Sequence, residues 1–203
     1  MSLDLALALL VTYPSEDVLA EEGKVRRVAA TGPRAARQAI GRFFAQVEAL
    51  PPLERQRLYV DAFDFDRRAS LHLTAHTHGD RRQRGGRLIS LKARLRAAGL
   101  ELASGELPDH LAVLLELRAL APDVGAAAIA GLRPPIELVR ARLHDSASPY
   151  AHVLDAVIAT LPRLTRAERA AAARLATDGP PGELVGLEPF APVEVMPREG
   201  ALR

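Results

Sequence analysis

The densest group of chemically capable side chains is His72, His76 and His78, followed at once by Asp80. On a helix, His72 and His76 share a face, the arrangement by which two imidazoles grip one metal ion. A third ligand and an acidic supporting group complete such a site, and Asp80 would serve. Arg81, Arg82, Arg84 and Arg87 follow directly, and their positive field opposes a divalent cation. Polar packing or contact with a partner is the plainer reading. A metal-dependent enzyme built on the histidines is kept as an alternative. The same arginines, with Gly85 and Gly86, are candidates to hold a phosphate or polyanion at a helix start. They lack the lysine and hydroxyl ending of a P-loop, and no aromatic platforms interleave with them, so no nucleic-acid partner is expected. A solvated helix face paired with Asp61, Asp64 and Asp66 is the simpler account.

Those three aspartates resemble acid–base chemistry only in composition, because nothing in their spacing sets two of them across a cleft. His144, Asp145 and Ser146 carry triad letters in contiguous order, whereas triad members converge from separated positions, so a helix end and a turn are expected. The run Glu106, Leu107, Pro108, Asp109, His110 is the most informative. Proline in a first helical turn leaves free backbone N–H groups, and Asp109 and His110 then stand at the positive end of a helix carrying Leu111, Leu114, Leu115 and Leu117. Two readings stay open: a self-capped helix start, or a polar anchor at the rim of an apolar groove that holds an amphipathic peptide.

The elements that position these residues read as helices. Ser2 caps a first helix running to Val11 and stopped by Pro14, and Ser15 caps a second that is acidic early and basic later. Ala36, Ile40, Phe43, Phe44 and Val47 recur at helical spacing up to Leu50, Pro51 and Pro52. Helices follow over 53–63, 80–98 with Gly99 behind it, 109–120, 123–130, 134–144 and 149–161. The last starts at a Thr165/Glu168 capping box. Ser70 to Ala75 alternates like a strand, but one such run without partners makes no sheet, so it is assigned to helix. Past Asp178 the text turns rich in proline and glycine. The expectation is an all-α, single-domain helical bundle over 1–177 with an irregular, extended tail over 178–203.

The 203 residues suit one domain, and 27 basic against 25 acidic side chains leave a net charge of +2. Charge so nearly balanced does not by itself imply a nucleic-acid binder, so local clusters decide. With no cysteine there is no disulfide framework, zinc–thiolate site or thiol nucleophile. The apolar run from Leu3 to Val11 is too short for a span and lacks a signal peptide's basic lead-in, so a cytoplasmic protein without membrane insertion is expected.

Taken together, Tyr59, Phe63 and Asp64, then Leu71, Leu73, His76, His78, Gly79, Asp80, Arg82, Arg84 and Gly85, then Glu106 to Leu111, resemble the NarJ family. These are nitrate reductase assembly chaperones, also called delta subunits, within the TorD-like group of redox-enzyme maturation proteins. Leu9, Leu10, Tyr13 and Pro14 fit as well, and the likeness runs from Leu3 to about Leu161. The resemblance implies an all-helical, non-catalytic cytoplasmic chaperone. No cofactor or metal of its own is expected, and the chain is expected to be a monomer or weak homodimer. Its partner would be the apo catalytic subunit of respiratory nitrate reductase, including its N-terminal segment, held competent for molybdenum cofactor insertion before membrane docking. A different molybdoenzyme is the alternative client. The resemblance carries client-peptide binding to Glu106, Pro108, Asp109 and His110. The proposed surface is completed by Tyr59, Phe63, Leu71, His76, His78, Asp80, Arg82, Arg84, Leu111 and Leu114. Arg81, Gln83 and Ala112 depart from the family pattern, and the tail matches poorly.

Overall fold

The computed structural model describes residues 1–78, 82–102 and 105–178. Twelve α-helices lie among them: α1 Leu3–Leu10, α2 Glu16–Ala20, α3 Glu22–Ala29, α4 Arg34–Val47, α5 Pro52–Phe63, α6 Ala75–His78, α7 Arg82–Ala97, α8 Leu111–Leu120, α9 Pro122–Ala130, α10 Arg133–Asp145, α11 Tyr150–Ala159 and α12 Arg166–Asp178. The expected tail lies outside the described residues from position 179 onward.

Proline sets most of the boundaries. Pro33, Pro51 and Pro149 occupy the N-caps of α4, α5 and α11, while Pro122 opens α9 and Pro134 and Pro135 sit in the first turn of α10. Its fixed φ and missing N–H are harmless there, because first-turn donors have no intrahelical acceptor. Side-chain caps do the same elsewhere. Ser2 Oγ accepts from Leu5 N at 3.3 Å and Ser15 Oγ from Val18 N at 3.4 Å. Thr165 and Glu168 exchange reciprocal bonds of 2.7 and 3.2 Å ahead of α12, the anticipated capping box. Gly99, at φ +72°, closes α7 in the left-handed region that glycine adopts without strain.

α4 and α11 make the central contact; α1 packs on α8 and α3, α8 on α9, and α10 on α11 and α12. Phe43 of α4, Tyr59 and Phe63 of α5 and Tyr150 of α11 meet in one aromatic cluster. Tyr150 stands 5.2, 5.7 and 5.1 Å from the other three ring centres. Such tilted and edge-on pairs add to the stabilisation from burial alone. Arg118 of α8 binds Asp4 of α1 through both carboxylate oxygens, and donates to Thr160 Oγ1, behind α11, at 2.8 Å. Three helices are thereby tied at one partly buried charge.

Close packing fixes one glycine. A Cβ on Gly125 of α9 would lie 2.3 Å from both the N and Cα atoms of Arg118, so α8 and α9 approach as near as two backbones can. Helix propensity alone favours alanine over glycine by about 1 kcal/mol. Here the clash reverses that sign: Gly125→Ala is expected to destabilise by about 1–3 kcal/mol. Thermal unfolding checks it, and an unchanged or raised Tm would contradict the close approach.

Three expectations are corrected. The second helix is broken at Glu21 into α2 and α3, because the short α2 buries none of its residues and has little to align it with α3. Ser70 to Thr74 is not helical. It runs extended and pairs through one antiparallel bridge, His72 to His110, so its alternation did find a partner, one that lies far along the chain. The helix foreseen from Asp109 starts instead at Leu111, with His110 as its N-cap and Pro108 in the turn before it.

Candidate functional site

Bridging of the two segments creates a buried polar knot. Leu73 N donates to Asp109 O at 3.1 Å, and Leu111 N donates to Leu71 O at 3.0 Å. The Asp109 carboxylate, 0% exposed, points back across the bridge, where Oδ2 accepts from Thr74 N at 3.1 Å and Thr74 Oγ1 at 2.5 Å. Arg84 of α7 donates through Nε to Thr74 Oγ1 at 3.2 Å and brings its guanidinium to 3.6 Å from Oδ2. His72 Nδ1 lies 3.5 Å from the other oxygen. Burial by itself raises this carboxyl; the nearby His72 imidazole, the bonds from Thr74 and the charge of Arg84 override it and hold the group at about 2.

The histidines are structural in the same way. His76 is fully buried, and its Nε2 bonds to Ser70 O at 2.7 Å, which makes that nitrogen the donor. Burial lowers its affinity for a proton, against the pull of the Ser70 carbonyl, Asp109 and Asp66. His110 is 8% exposed; its Nδ1 accepts from Ala112 N at 3.3 Å, and burial lowers it too. Both imidazoles are therefore neutral at pH 7. His72 and His110 stack edge-on with centroids 5.1 Å apart. No group of three or more His, Asp or Glu side chains among the described residues is placed to hold a metal ion.

Two expectations about the rim are thereby corrected. Asp109 and His110 are not presented to solvent; the carboxylate is consumed in fastening two loops and the imidazole in capping α8. Leu111 and Leu114, foreseen as groove wall, are 0% exposed and belong to the core, as does Leu71 at 3%. Sequence spacing identified an apolar face on α8 correctly, but could not say whether that face lines a groove or meets another helix. Tyr59 and Phe63 are also core, with Tyr59 Oη donating to Val11 O at 3.3 Å. Pro108 is buried. Asp80 and the side chains of His78 and Arg82 lie outside the described residues. Asp66, foreseen beside the arginine run, pairs instead with Arg142 of α10.

Of the carried-over residues, Glu106 stays accessible. Its carboxylate accepts from Leu107 N at 2.9 Å and lies 3.7 Å from His72 Nε2, with 39% and 34% of the two side chains exposed. Glu106 borders a cleft with Leu95, Leu100 and Leu102 between α7 and the loop after it.

A larger opening went unforeseen. At the other end of α8, an apolar groove of about 1610 Å³, measured with its open mouth, runs between α1, α9 and the segment joining α11 to α12. Leu3, Pro122, Ala126, Ala130, Leu161 and Pro162 form much of its surface. Arg133 braces one edge, bonding to Glu137 Oε1 at 2.8 Å and to Pro162 O at 3.2 Å. The only trace in the sequence is the run of small residues in α9, too short for a helix to reveal which face is left uncovered.

Residues 28–156 match the nitrate reductase delta subunit family, more than half of the chain. The chain belongs to that family. Among similar proteins is the nitrate reductase molybdenum cofactor assembly chaperone NarJ of Escherichia coli K12, 37% identical over 129 residues, covering 62% of this chain and 54% of that protein. The probable chaperone of the same name from Bacillus subtilis is 29% identical over 158 residues, covering 77% and 86%. The nitrate reductase-like protein NarX of Mycobacterium tuberculosis is 34% identical over 154 residues, 75% of this chain but 23% of its own length. This delta-subunit family member thus spans about half of the E. coli relative and about a quarter of the mycobacterial one. The matched region runs from α3 into α11 and includes the whole polar knot. None of the described helices is long and apolar enough to cross a membrane.

Proposed function

We propose that this chain is a non-catalytic assembly chaperone that binds the apo catalytic subunit of nitrate reductase and keeps it open to molybdenum cofactor insertion. The match to the delta subunit family over residues 28–156 carries this reading. Relatives of that family are named as molybdenum cofactor assembly chaperones. The client segment docks in the apolar groove between α1, α9 and the α11–α12 segment. The groove supplies uncovered apolar surface; Asp4–Arg118 fastens α1 to α8 at one edge, and Arg133 fastens α10 to the α11–α12 segment through Pro162 O at another. Recognition of this kind takes affinity from apolar burial and selectivity from a few directed polar groups.

Co-expression tests the function: the catalytic subunit made with this chain should co-purify with it and acquire molybdenum, and without it should stay metal-poor. Failure of both would reject the role. Docking is tested on the exposed alanines Ala126 and Ala130. Ala126→Arg with Ala130→Arg should weaken binding of the client's N-terminal peptide about tenfold or more, roughly 1.4 kcal/mol, at unchanged helicity. Loss of binding in Glu106→Gln, with the arginine pair silent, would move the docking site to the cleft beside α7.

A further inference from the structure

α7 is a helix that its own sequence disfavours. It carries Arg82, Arg84, Arg87, Lys92, Arg94 and Arg96 with no acidic residue, and holds Gly85 and Gly86 inside it. Each internal glycine costs about 1 kcal/mol against alanine, and the like charges Lys92 and Arg96, four apart, repel. Among the described side chains of α7 only Leu91 and Leu95 are buried, and its main packing partners are α6 and α9. Arg84 is spent on the Asp109 knot. Arg87, Lys92, Arg94 and Arg96 form no ion pair with a described residue.

These four cations fall on two flanks. Arg87 and Arg94 stand on one side with Ser90 between them, at i, i+3 and i+7, while Lys92 and Arg96 stand on the other beside Glu101 and Glu106. The first flank opens on a separate cleft between α7 and α9, about 700 Å³ when measured with its open mouth. Arg87, Ser90 and Arg94 form one wall, and Leu91, Ala128 and Leu132 supply apolar surface. No carboxylate lines it among the described residues. The Ser90 hydroxyl is also without a hydrogen bond to any described residue. Two guanidiniums two turns apart, about 10 Å along the axis, can close on a polyphosphate with the hydroxyl between them. The sequence offers a phosphate at the start of this helix as an alternative to a solvated face; this cleft lies on the helix's side instead.

We propose that the cleft between α7 and α9 binds a phosphorylated organic anion of the nucleoside diphosphate kind. Arg87 and Arg94 fork the phosphates, Ser90 donates to a phosphate oxygen, and the apolar wall takes the organic portion. A ligand held between α7 and α9 would join two elements that pack lightly, so binding should also firm the helix. The proposal is independent of the client reading, since it uses a different cleft.

Calorimetry on the full chain with inorganic pyrophosphate and with ADP, near physiological ionic strength, tests it. The structure expects both to bind, with ADP the tighter, and expects Arg87→Gln with Arg94→Gln to weaken both about tenfold or more. Lys92→Gln with Arg96→Gln removes the same charge from the same helix on its other flank, and should retain binding. Circular dichroism of both double variants confirms that α7 persists. Pyrophosphate should raise the Tm of the parent protein and of the second variant but not of the first. Absence of binding by either anion would overturn the proposal. Equal loss in both variants, which would mean unspecific charge, or association confined to phosphatidylglycerol vesicles would overturn it as well.

Discussion

Asp109→Ala should unfold the protein well before it affects any partner. The carboxylate is fully buried and bonded to Thr74 twice, with His72 and Arg84 alongside, so truncation leaves buried donors unpaired and a cation without its counter-charge. Removing one member of a buried pair costs about 3–5 kcal/mol. For a domain of this size each kcal/mol moves Tm by about 2–4 °C, so a fall of about 10 °C is expected by calorimetry. Asp109→Asn keeps one acceptor for Thr74 and should lose less. If Asp109 were instead an exposed anchor for a peptide, the alanine variant would melt with the parent and lose only affinity. A parent-like Tm therefore refutes the knot.

The same carboxylate makes stability depend on pH. Its folded value, about 2, lies below the ordinary 3.8. The contribution is complete above the unfolded value and is lost as pH falls through the folded one, a window from about 4 down to 2 worth about 2 kcal/mol. His76 and His110, both lowered by burial, weaken the fold earlier, because the unfolded chain takes up their protons first as pH drops below about 6.5. Denaturant midpoints between pH 7 and 3 should fall in the parent. The low-pH part of that fall should flatten in Asp109→Asn.

Tyr150→Ala is expected to destabilise by about 3–5 kcal/mol through the cavity it leaves among Phe43, Tyr59 and Phe63. Tyr150 opens α11 and stands where α4, α5 and α11 meet, so no single helix can relax into the space. Tyr150→Phe keeps the ring and should stay within about 1.5 kcal/mol of the parent. Equal melting of the alanine variant and the parent would mean that the three helices are held by contacts elsewhere.

Helix positions were legible because their signals are local. Ser2, the Thr165/Glu168 box, the prolines that open α4, α5, α9 and α11, and Gly99 behind α7 each act within a turn of the residue concerned. The motif residues from Tyr59 to Leu111 were legible as a family pattern, and the match over 28–156 places the chain in that family. Their roles were not. Motif spacing marks Asp109 and His110 as special, but a group held in place by its fold and a group that meets a partner leave the same mark in a single sequence.

What the chain determined by itself was the all-helical secondary structure, most of its boundaries, and the apolar faces that must be covered. Only the tertiary structure decided which faces are covered and by what. The alternating run at Ser70 to Thr74 became extended because its hydrogen-bond partner lies beyond α7, at Asp109 to Leu111. The rim residues became a buried fastener because Thr74 and Arg84 arrive from separate elements to satisfy the carboxylate. The open groove lies at the end of α8 opposite the expected one. Burial is a sum over contacts between residues distant in the chain, and period and propensity carry no record of those distances.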